Sequence, residues 1–91
     1  MINPGDIVYS KAGRDKDKPF VVVSLENELF VLIADGDLRK IGKPKRKKIK
    51  HLKLTGQSAG QIAEKLSVGE MVTNKEIKKT LKDFLNGTDA I

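Results

Sequence analysis

The sequence predicts an α+β fold: a small curled sheet or barrel, with two helices packed on it. Three observations carry this. Short runs rich in Val, Ile and Phe, each closed by a turn signal, succeed one another through roughly residues 5–54. The apolar spacing then changes to the helical i, i+3, i+4 pattern in residues 55–91. At 91 residues the chain is the length of one domain, so both parts are expected to share it. Residues 1–55 are assigned to the barrel and residues 56–91 to a helical C-terminal extension of the same domain.

The strands are read in order. Pro4-Gly5-Asp6 is a turn, and residues 7–10 (Ile-Val-Tyr-Ser) follow as a short strand. Residues 11–19 form a polar loop with Gly13 near its start. Residues 20–25 and 29–34 flank Glu26-Asn27-Glu28 and read as a hairpin. Asp35-Gly36-Asp37 turns the chain, residues 38–41 begin a strand, and Gly42-Lys43-Pro44 breaks it. Residues 47–53 form the last strand, with Ile49 and His51 on one face and Lys48 and Lys50 on the other. Curling such a sheet hides edges that would otherwise pair with other chains.

Two helices follow. Ser58-Ala59-Gly60-Gln61 has the spacing of a capping box, ahead of an apolar stripe of Ala59, Ile62, Ala63 and Leu66. Thr73-Asn74-Lys75-Glu76 is a second box, with Val72 and Ile77 at staple positions. Ile77, Leu81, Phe84 and Leu85 make the apolar face of this helix, Lys75, Lys78, Lys79 and Lys82 line another, and Asn86-Gly87 stops it.

Charge points to the partner. The net charge is +6, and all of the excess lies in residues 1–53; residues 54–91 balance to zero. Residues 39–53 hold nine Lys or Arg and no acid, a block that attracts polyanions. Its cations (Arg39, Lys40, Lys43, Lys45, Arg46, Lys47, Lys48 and Lys50) are spaced closely enough to follow a phosphate backbone. The loop before the second strand adds Lys11, Arg14, Lys16 and Lys18 around Gly13, where a backbone can approach closely. Asp15 can hold Arg14 in place or make a turn. His51, the single histidine, can stack on a base, or pack or hydrogen-bond at the end of the last strand. Tyr9 and Phe20 lie within apolar runs, which favours core roles over stacking platforms.

Other classes of function are disfavoured. No P-loop, nucleophile elbow or paired acid–base motif is present, so enzymatic activity is not expected. The absence of cysteine excludes disulfides and cysteine-based zinc sites, and one histidine makes a histidine-based site unexpected. No cofactor is therefore expected. Residues 1–6 lack the features of a signal peptide, and the longest mainly apolar stretch, residues 29–34, is far too short to span a bilayer. A cytoplasmic monomer without a membrane partner is expected.

Residues 5–23, Gly-Asp-Ile-Val-Tyr-Ser-Lys-Ala-Gly-Arg-Asp-Lys-Asp-Lys-Pro-Phe-Val-Val-Val, resemble a KOW motif: a strand, a loop with a key glycine matched by Gly13, and a second strand. The resemblance continues through Phe30-Val31-Leu32, the basic run and His51-Leu52-Lys53-Leu54-Thr55, covering roughly residues 4–55. Together these resemble the KOW-bearing large-subunit ribosomal protein family fourteen-e of archaea and eukaryotes, and more narrowly its short bacterial relatives. Asp17 departs from the pattern, since many KOW loops carry a second glycine there. The resemblance implies an SH3-like β-barrel that binds structured RNA, ribosomal RNA in particular, with ribosomal proteins as further partners. It does not extend to the helical tail.

Two other readings remain open. The barrel and tail can serve as a protein-interaction module. Residues 60–69 also resemble the first helix and turn of a DNA-binding helix-turn-helix, although the distance from Leu66 to Ile77 exceeds the usual tight turn and the tail carries no net charge.

Overall fold

A computed structural model describes residues 1–87. Five antiparallel strands form one open sheet: β1 (Asp6–Ser10), β2 (Pro19–Leu25), β3 (Phe30–Ala34), β4 (Lys45–Lys48) and β5 (Leu52–Ser58), in the order β4-β3-β2-β1-β5. Two helices follow, α1 (Gln61–Ser67) and α2 (Asn74–Asn86). The expected α+β class is present, and none of the described helices is long and apolar enough to cross a membrane.

Both faces of the sheet are covered, which is why β2 reads as an almost unbroken apolar run. On one face Val8, Phe20, Val22, Val31, Ile33 and Leu52 form a cluster within the curl of the sheet. On the other, Ile7, Val21 and Ala34 pack against Ile62 of α1 and Ile77 and Leu81 of α2. Successive residues of one strand thus serve different cores, as the two-residue period of a strand requires. A bulge between Val22 and Ser24 bends β2 against β3. The pairing of β5 with β1 also shifts between Asp6 and Val8, where the Thr55 hydroxyl donates to the Ile7 carbonyl at 2.7 Å.

Four local expectations are corrected. Residues 47–53 are not one strand: β4 pairs with β3 at one edge and β5 with β1 at the other. A 3-10 turn, Ile49–His51, carries the chain between those edges and removes the face assignment expected for Lys48 to His51. Residues 38–41 do not begin a strand, because the Asp35 carboxylate accepts the Asp37 and Arg39 N–H groups, both at 2.9 Å, and holds a turn. Ser58 does not cap α1; it is paired with Asp6 in β5, and Gly60 caps that helix without a side-chain bond. Leu85 does not join the buried face of α2.

The second capping box forms as expected. Thr73 Oγ1 accepts the Glu76 N–H at 3.2 Å, and Glu76 Oε2 accepts the Thr73 N–H at 2.8 Å. Val72 and Ile77 are both buried beside it. Glu76 also pairs with Lys65, joining α2 to α1. The Lys65 ammonium, followed by the Thr73 N–H, pulls the Glu76 carboxyl down to about 2.

Two glycines set how closely the helices approach the sheet. Gly5 (φ 92°) lies against Ala63 of α1, and Gly36 (φ 80°) lies against the Asn74 carbonyl of α2. A Cβ at either position overlaps those atoms, and the left-handed backbone adds about 1–2 kcal/mol of strain for a non-glycine residue. Gly36→Ala is therefore expected to destabilise the fold by at least about 2 kcal/mol in urea unfolding. Gly42→Ala, with open space around it and no positive φ, should change stability by less than about 0.5 kcal/mol.

Candidate nucleic-acid interface

The loop between β1 and β2 is built from nested turns. Lys16 N–H donates to the Gly13 carbonyl at 3.2 Å, Lys18 N–H to that of Asp15 at 3.0 Å, and Asp17 N–H to that of Ser10 at 2.7 Å. Gly13 has φ 78°, as a glycine can adopt without strain. Asp17 has φ 67° and is the non-glycine residue with positive φ among those described. A glycine would sit there without cost; aspartate is among the few other residues that enter this region readily.

A single carboxylate holds this loop against the basic segment. Asp15 is only 4% exposed. Its Oδ2 accepts Arg39 Nη2 at 3.2 Å and Lys45 Nζ at 3.1 Å. Asp15 therefore binds cations 24 and 30 residues further along the chain, rather than Arg14. Burial alone would raise its pKa, but the hydrogen bonds and charges of Lys45 and Arg39 outweigh burial and hold it below its ordinary value.

Strand β4 sorts its cations by face. Lys45 and Lys47 stand opposite Ile33 and Val31, so their stems lie on the inner core face. Lys47 is 9% exposed, and its ammonium donates to the Ala12 carbonyl at 3.0 Å. Arg46 and Lys48 stand on the other face, opposite Leu32 and Phe30. Arg46 pairs with Glu26 and lies over the Phe30 ring, 3.5 Å from its centroid. The basic run is thus not uniformly available: Arg39, Lys45, Arg46 and Lys47 already have protein partners. Within residues 39–46, Arg39 is held at Asp35 and Asp15, and strand begins at Lys45.

The remaining sequence-predicted cations, Lys11, Arg14, Lys16, Lys18, Lys40, Lys43, Lys48 and Lys50, are exposed and form no ion pair among the described residues. Several converge on the 3-10 turn. Burial, and then the charges of Lys50, Lys47, Lys48 and Lys11, lower the His51 pKa, so this imidazole is neutral near pH 7. The His51 carbonyl accepts the Lys11 N–H at 2.8 Å, tying the turn to the loop. Gly13 lies beside the Lys47 ammonium in the same region. A hollow of about 410 Å³ opens next to the turn, between Leu29 and Ile49, with Lys48 and Lys50 on its rim and Glu28 as its acid. Phe20 is fully buried, and the half-buried Tyr9 packs against Phe84 with ring centroids 6.0 Å apart. The hollow and Phe30 are features that strand-by-strand reading missed; the apolar pair Leu29-Phe30 beside acidic turn residues was their only signal.

No protein-family model and no curated protein matches this chain.

Asp15→Asn is expected to destabilise the protein by about 1–3 kcal/mol at pH 7, because it leaves two cations short of a buried partner. The folded-state pKa is depressed, so this stability is fully present above the unfolded value and lost as pH falls through the folded one. Urea unfolding of both proteins should show the gap at pH 7 and its progressive loss below pH 3.8, the ordinary value for this group.

Proposed function

We propose that this chain is an RNA-binding protein that recognises structured RNA, ribosomal RNA in particular, through phosphate and shape contacts on the surface of the Gly13 loop, β4 and the 3-10 turn. The observation that carries the reading is the division of charge at that surface. Asp15 and Glu26 are consumed by Arg39, Lys45 and Arg46, while Lys11, Lys16, Lys43, Lys48 and Lys50 are left exposed without ion-pair partners among the described residues. Free lysines on an ordered scaffold can exchange condensed counterions for phosphates without first breaking bonds within the protein. With few exposed aromatics, the surface suits backbone and groove recognition better than stacking of a long single strand.

The strand order supports the finer reading of the fold as an SH3-like barrel of KOW type. In that reading the 3-10 turn between β4 and β5 is the link that takes the chain from one edge to the other, and Lys45 and Lys47 reach the Gly13 loop across the gap. Association with the ribosome in the cytoplasm follows from the same resemblance.

About five phosphate contacts imply that affinity for an RNA hairpin falls on the order of 500-fold between 50 and 200 mM salt. Joint replacement of Lys43, Lys48 and Lys50 by Gln should weaken binding more than about tenfold in a filter assay and flatten the salt dependence, with the unfolding midpoint retained. Unchanged affinity would sink the assignment; binding of an acidic protein that survives high salt, with no affinity for RNA, would favour a protein-interaction module. The His51 pKa, read from its ring-proton NMR shifts, should rise when RNA binds, because phosphates offset the lysine charges that depress it. A pKa that stays put would place the RNA elsewhere.

A further inference from the structure

A second basic groove lies where the tail meets the loop. It is a trough of about 620 Å³ between α2 and the start of β2, in the range that holds a nucleotide-sized ligand. Its floor is Pro19, Leu81 and Leu85, and Leu85 is 57% exposed. Lys75, Lys78 and Lys82 rise along one wall, one face of α2 spanning about 10 Å. Two acids line the trough, Asp35, which is occupied by the backbone of its own turn, and the exposed Asp37, against five lysines, of which Lys79 is occupied by Asp83 at 3.0 Å. Lys75, Lys78 and Lys82 have no ion-pair partner among the described residues.

Lys18 connects this groove to the surface described above: it is the last residue of the loop that carries Gly13, and it also lines the trough. We propose that the α2 groove holds a single-stranded stretch of the same RNA, adjoining the structured element gripped by the loop and the 3-10 turn. The inference rests on the RNA-binding reading and extends it to the tail. Single strand fits the lining better than duplex. A ribose and the face of an unpaired base can cover the apolar floor while the phosphates meet the lysine rim. Duplex presents phosphates and groove edges and leaves that floor in water. Continuity through Lys18 favours RNA over an acidic protein segment as the occupant.

The test uses the full chain and two probes: a hairpin of about twelve base pairs, alone and with a tail of about eight uridines. The wild-type protein should bind the tailed hairpin about tenfold more tightly at about 100 mM salt, with a log–log salt slope steeper by about two, as three single-strand phosphate contacts give. The variant Lys75→Gln/Lys78→Gln/Lys82→Gln, with its circular dichroism unchanged, should lose that gain and keep its affinity for the bare hairpin. A gain retained by the variant overturns the proposal and leaves the groove to a protein partner. Wild-type protein that binds the hairpin but gains nothing from the tail also overturns it, with the RNA-binding reading intact. Wild-type protein that binds neither probe removes both. If the variant misfolds, single Lys78→Gln and Lys82→Gln proteins should each lose part of the gain, and full retention by both overturns the proposal.

Discussion

The Asp15 carboxylate is the constraint on which the arrangement of the basic surface depends. The sheet is open, and β4, one of its edges, consists of four cations in a row. Such an edge repels itself and has no strand partner on its outer side among the described residues. One nearly buried carboxylate, reaching Lys45 and Arg39, fixes that edge against the β1–β2 loop. Lys47 adds a second tie to the same loop through the Ala12 carbonyl. Exposed pairs such as Lys79–Asp83 contribute only about 0.3–0.5 kcal/mol. A pair with a buried member is costlier to break, since the remaining charge loses its compensation. The Asp15 group therefore decides where the basic segment lies.

That clamp divides labour within a run of like residues. Lys45 and Lys47 cover the inner core with their stems and bind the loop with their heads, so they act as structural ties. Lys48 and Lys50, a few residues away, are exposed and surround His51. The acids that would otherwise compete with a phosphate backbone at this surface are largely spent inside the protein. Asp17 and Glu28 are the exposed exceptions at its margin. A surface prepared in this way meets a polyanion with little rearrangement, which suits recognition of a folded RNA by shape and charge.

Much of the fold was legible because local pattern and tertiary role coincide. The Val-rich runs are strands, Thr73 and Glu76 cap α2 as their spacing requires, and Gly87 ends that helix at φ 67°. The failures share a cause: each is decided by residues far away in sequence. The division of residues 47–53 depends on which edge each half finds. Ser58 has the chemistry of a helix cap, but its pairing with Asp6 keeps it in the sheet. The clustering of the cations was readable from the sequence; their unequal availability was not. Asp15 lies next to Arg14 in sequence, yet its partners come from beyond β3. Asp17 shows the opposite case, in which a residue other than glycine takes the left-handed backbone, at φ 67°.

In the proposed function, RNA meets this protein on the surface organised by Asp15. Ultraviolet crosslinking in its own cells, with identification of both the attached RNA and the crosslinked peptides, tests it most directly. Structured RNA, ribosomal RNA foremost, should be found attached to peptides from residues 11–18 and 43–53. Absence of crosslinked RNA, or crosslinks confined to α1 and the outer edge of β5, would contradict it.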